Sequence, residues 1–178
     1  MFSTCLESLE KARQHIADDP AFDPVWNCRT GVWPDQDAPK AAVLKIFKTH
    51  WMPDIQEKAV NSTVGIFFSV WIDEAAIKGG GLHYNLHALK LRQLPGYALE
   101  SRKFATAFRA HFDARSTGWP AVKMSFGPQT LFQGFAQCPV GHGDVVAYKL
   151  AKKFTALGGV VDGLLKNAIK RPELLAAP

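Results

Sequence analysis

Cysteine is scarce in this chain of 178 residues. Cys5, Cys28 and Cys138 form an odd set with no C-x-x-C spacing. That argues against a disulfide framework or a cysteine-based structural zinc site, and it predicts a reducing, cytoplasmic setting. No apolar run reaches the roughly 18 residues that a membrane-spanning helix needs. Glu7 and Glu10 sit near the start with no apolar h-region, so no signal peptide is expected. No block of five or six like charges occurs, which excludes a basic arm or an acidic tail of that kind. The Walker loop, H-E-x-x-H and G-x-S-x-G patterns are all missing, as is an Asp/Glu-x-Lys triplet of the common nuclease type. An enzyme is not thereby excluded, because sites assembled from distant residues leave no local signature. Reaction, substrate and cofactor stay open.

What is present describes a globular domain. Hydrophobic residues make up 47% and charged residues 21%, ordinary proportions for a chain of single-domain length. Folding at this size buries roughly 70% of the unfolded surface, enough for a core without metals or disulfides. The net charge of +5 favours an anionic partner.

Periodicity divides the chain. Residues 4–18 predict a helix, with Thr4 and Glu7 as a capping box and Pro20 as its stop. Residues 19–37 predict an ordered loop, broken by prolines and pinned by Phe22, Trp26 and Trp33, which would cover a core or a pocket. A second helix is expected over 39–52, capped by Asp37. Val43, Ile46, Phe47 and Trp51 would form its buried stripe, with Lys40, Lys45 and Lys48 outside; a further short turn would run from Pro53-Asp54 to Val60. The sheet is expected within 63–136. Val64–Ile72, apolar on both faces except at Ser69, predicts a central strand. A helical turn at 73–78 ends in Gly79-Gly80-Gly81, and Leu82 to Leu94 predicts the next strand, with a bulge near Ala88-Leu89. Ser101–Ala114 predicts a helix with Phe104, Phe108 and Phe112 on one side, and Val122–Phe126 a third strand. Residues 129–136 fit either a fourth strand or a short helix, with the strand preferred. Residues 144–171 predict a helical hairpin, capped by Asp144 and broken at Gly158-Gly159. The expected fold is a single α+β domain: a mostly antiparallel sheet of three to five strands, packed by helices and closed by that hairpin.

The segment Gly79-Gly80-Gly81-Leu82-His83-Tyr84-Asn85-Leu86-His87 carries the best indication of a site. On a strand, His83, Asn85 and His87 share one face, and strand faces that pack on a core are normally apolar. With Arg92, and with Lys123, Ser125, Gln129 and Gln133 from a neighbouring hairpin, they would form a polar face that takes a small polar or anionic ligand. Such a face can equally be a solvated one. A metal site using His83, His87, Cys138 and His142 is the second possibility, for a metal-dependent hydrolase or a metal-binding protein. His83 and His87 lie about 13 Å apart on one strand, too far to share a metal directly. The loop Cys138-Pro139-Val140-Gly141-His142-Gly143-Asp144 lacks the third small residue of a dinucleotide fingerprint, Val146 standing there, and a capped turn explains it. Arg102, Lys103 and Arg109, with Lys149, Lys152, Lys153, Lys166, Lys170 and Arg171, offer a nucleic-acid surface or simply solvated helix faces. Five tryptophans suit a structural subunit or a homo-oligomer.

Overall fold

Five strands run antiparallel in chain order, each paired with the next, and three long helices cover one side of them. The computed structural model describes residues 2–22, 24–33, 40–53, 60–113 and 115–169. Helix α1 (Phe2–Asp18) leads into β1 (Trp26–Trp33) and β2 (Ala41–Lys48). Strand β3 (Gly65–Asp73) is joined to β4 (Gly81–Leu89) by the one-turn helix α2 (Glu74–Gly79). Helix α3 (Ser101–Asp113), β5 (Thr130–Gln137) and α4 (Gly143–Lys166) complete the chain. The expected α+β architecture is therefore present, with a five-stranded antiparallel sheet.

The connection between β3 and β4 follows from its sequence. Asp73 accepts a hydrogen bond from the Ala76 amide at 2.8 Å and so starts α2. Gly80 adopts φ 66° at the helix end, a left-handed conformation that favours glycine. The chain is thereby returned antiparallel within a few residues.

Sheet alternation separates two faces. Ile66, Phe68, Val70 and Ile72 of β3, with Leu82, Tyr84, Leu86 and Ala88 of β4, are buried in the main core under the helices. Phe68 stacks on Phe154 of α4 with centroids 4.3 Å apart, and Phe112 of α3 on Phe132 of β5 at 4.4 Å. Tyr84 spends its hydroxyl on the Pro120 carbonyl, 2.7 Å away. The opposite face carries none of the three long helices.

Several expectations fail, for identifiable reasons. The described residues of 39–52 do not form the expected helix: Ala41–Lys48 is strand β2, paired to β1 on one side and β3 on the other, and Thr49–Trp51 is a single 3-10 turn. Its residues Ala41 to Phe47 are all buried, so apolar side chains fall on both faces and match helical spacing as readily as a strand. Within 19–37, Trp26–Trp33 is an edge strand rather than loop. Its side chains are half-buried except for the exposed Arg29 and Trp33, which gives weak alternation. Residues 122–126 form no strand; only Lys123 makes an isolated bridge, to Gln133.

The expected hairpin is a single helix among the described residues. Helix α4 runs unbroken through Gly158-Gly159, because about 1 kcal/mol per glycine is small against a stripe of buried Phe154, Leu157, Val161 and Leu165. Gly158 lies where the helix crosses β1, and a Cβ there would come 2.7 Å from the Trp26 ring. His142, not Asp144, is the N-cap of α4, without a side-chain cap; Asp144 lies in the first turn. Strand β4 stops at Leu89, and its pairing with β5 shifts between Leu86 and His87, slightly before the expected bulge. The expected cap at Asp37, the turn over 54–59, and Lys170 and Arg171 lie outside the described residues.

Candidate functional site

The open face has one polar row. In the pairing register Arg29 lies opposite Lys45, Lys45 opposite Ser69, Ser69 opposite Asn85, and Asn85 opposite Gln133. This row crosses all five strands. One flanking row holds Val43, Trp71, His83 and Phe135, and the other holds Phe67, His87 and Thr130. Residues 60–63 fold back beside the row, and Val60 packs with Ala41, Val43 and Trp71. Between them lies a cleft of about 510 Å³, within the size range of small-molecule sites. Trp33, Val43, Phe67 and Trp71 give it apolar walls, and Lys45, Ser69, Asn85, His87 and Gln133 its polar floor.

The polar floor is under-satisfied. Among the described residues the buried polar side chains are Lys45, Ser69 and Asn85, at 6%, 5% and 4% exposure, and all three belong to this row. Lys45 makes no ion pair among the described residues. Its Nζ sits 3.8 Å from the centroid of the Phe67 ring, a cation–π contact. Burial pushes the Lys45 ammonium down from its ordinary 10.5 to about 8, since a low-dielectric setting penalises the charged form.

His87 and Asn85 set each other's orientation. His87 Nδ1 lies 3.2 Å from both the Gln129 carbonyl oxygen and Thr130 Oγ1; the tautomer with the proton on Nδ1 is the one that satisfies the carbonyl, which can only accept. In the neutral ring Nε2 is then an acceptor, and Asn85 Nδ2 donates to it at 2.9 Å. The amide is therefore turned with Oδ1 away from the histidine, where it is buried and has no partner among the described residues. Burial holds His87 below its ordinary 6.5; the hydrogen bond to Gln129 opposes this, and the Lys45 charge pushes it lower still. A buried acceptor left unpaired costs about 1–3 kcal/mol. Among the residues lining the cleft, Lys45 is thus a cation without a carboxylate partner and Asn85 holds a buried, unpaired acceptor.

Sequence-derived candidates divide between this cleft and other places. Asn85, His87 and Gln133 line it. His83 shares their face but stacks on Trp71 at 5.0 Å, meets Phe135 edge-on, and has Nε2 3.7 Å from Asp73 Oδ1. Arg92 lies in the short helix Leu91–Gln93, exposed and outside the cleft. Cys138 and His142 stand at the start of α4, the thiol donating to the Pro139 carbonyl at 3.3 Å. No group of three or more His, Cys, Asp or Glu side chains converges for a metal among the described residues. Arg109 of the basic set is not a solvated group: it donates to the carbonyls of Phe126, Gly127, Thr130 and Leu131 and pins the turn before β5. Lys152 pairs with Asp19, and Lys153 lies over the Trp119 ring.

Two members of the site escaped the sequence. Lys45 was expected on the outside of a helix, and Ser69 stood out only as the one polar residue of β3. The signal for Lys45 was a single charge inside Val43-Leu44-Lys45-Ile46-Phe47, which a period-two reading places on one face with Val43 and Phe47. No helix among the described residues is long and apolar enough to cross a membrane. No family model, curated protein or solved structure matches the chain.

Proposed function

We propose that the protein binds a small anionic molecule in the cleft on the open sheet face, with Lys45 as its counter-charge. One observation carries this reading: the buried polar side chains among the described residues are neighbours in a single row, and they line a cleft with apolar walls. Burying an ammonium without a carboxylate costs stability. A ligand anion would offset that cost, and a ligand donor facing Asn85 Oδ1 would remove a second one. The aromatic walls support a planar body between the two polar ends. The cysteines among the described residues are free thiols, which supports a reducing, cytoplasmic compartment.

The test is thermal unfolding with a panel of small aromatic carboxylates, starting with benzoate, on the wild type, Lys45→Met and Asn85→Leu. A ligand present at 100 times its Kd stabilises by about 2.7 kcal/mol. Carboxylates should raise the wild-type Tm, and both variants should lose most of that rise while remaining folded. Equal rises in wild type and Lys45→Met would contradict the proposal.

A further inference from the structure

We propose that Lys45 is a covalent capture residue: its ε-amine condenses reversibly with the aldehyde or ketone carbonyl of a small acid held in the cleft. This rests on the cleft being the ligand site. Three features of the cleft support it. Lys45 is buried with no acidic partner among the described residues, whereas Lys48, Lys78, Lys103 and Lys152 each lie within 4 Å of a carboxylate. Its Nζ lies over the Phe67 ring, and among the described residues no oxygen accepts a hydrogen bond from it. The surroundings also favour the neutral, nucleophilic amine, as in other lysines desolvated in apolar pockets.

The chemistry needs no oxidant or reductant. The amine lone pair attacks the carbonyl carbon and forms the N–C bond. The nitrogen loses its two protons and the carbonyl oxygen gains two, leaving as water when the C–O bond breaks. The product is a C=N bond to Nζ, and one water reverses it. Once protonated, the imine restores a positive charge beside the ligand's acid group.

The test uses the purified chain with 4-formylbenzoate and sodium cyanoborohydride, which reduces the imine to a stable amine for mass mapping. The expected result is one adduct per chain at limiting reagent, mapped to Lys45, forming faster as the pH rises through about 8 and competed by benzoate. Lys45→Met should lose that adduct while unfolding as cooperatively as the wild type. Lys45→Arg, which keeps the charge, should lose the adduct yet retain part of the benzoate-induced Tm rise. Adducts spread over exposed lysines with Lys45 unmodified would overturn covalent capture. If benzoate still stabilised the wild type through Lys45, the anion site would stand without it. If benzoate had no Lys45-dependent effect either, both would fall.

Discussion

Replacing Lys45 by methionine should make the ligand-free protein more stable at neutral pH, the reverse of most core substitutions. Methionine keeps the length and flexibility of the lysine stem and removes the charge. At 1.36 kcal/mol per pH unit, the fall from 10.5 to about 8 corresponds to roughly 3 kcal/mol held against the charged form. Refitting a methionine in place of the lysine end costs up to about 1.5 kcal/mol, so the expected net gain is about 2 kcal/mol at pH 7. The sign with pH follows from proton counting. The folded pKa lies below the unfolded one, so between about 8 and 10.5 the unfolded chain binds more protons. Wild-type stability therefore gains from Lys45 as pH rises through that window. The advantage of Lys45→Met should accordingly shrink from pH 7 to pH 10. Cys28 and Tyr84, whose thiol and phenol are pushed up by burial, titrate in both proteins and cancel in the difference. Urea unfolding of both proteins at the two pH values measures this. A variant less stable than wild type at pH 7, or a difference that does not change with pH, would refute the reasoning.

Other consequences are as direct. His87 is held below its ordinary 6.5, so the folded chain binds fewer protons than the unfolded one in acid; stability should fall as pH drops below 6.5, and His87→Gln should remove that part of the loss in urea titrations. In α4, Gly163→Ala meets open space and should stabilise by about 0.5–1 kcal/mol, whereas Gly158→Ala pushes a methyl against Trp26 and should destabilise by about 1–3 kcal/mol; paired thermal melts compare the signs. Asp162 accepts from Lys48 at 2.6 Å, Trp51 at 2.8 Å and His50 at 2.9 Å. Asp162→Asn should cost about 1–3 kcal/mol in unfolding experiments and leave benzoate binding unchanged, since none of these residues lines the cleft.

Helices α1 and α3 were legible because each buries one stripe: Leu9, Ala12 and Ile16 in the first, Phe104, Phe108 and Phe112 in the second. Strand β3 was legible from its length and its β-branched and aromatic residues. Strand β2 was not, because a strand buried on both faces has no period of its own, and the error hid Lys45. A lysine drawn on the outer face of a helix needs no explanation; one between Leu44 and Ile46 in a central strand does. The polar face of β4 was legible in His83, Asn85 and His87, yet alternation alone could not say which of them faces a cleft. That depends on residues 60–63 covering one end, and on Trp71 and Phe135 occupying His83. Nor does local sequence contain the orphaned Asn85 oxygen, which follows from the Gln129 carbonyl fixing the histidine tautomer across two strands.

The most direct measurement is an NMR pH titration of the lysine side chains in protein labelled with carbon-13 lysine, with and without benzoate. Lys45 should titrate near 8, well below its ordinary 10.5, and benzoate should raise that midpoint. A Lys45 that titrates near its ordinary 10.5 and ignores the carboxylate would contradict the account.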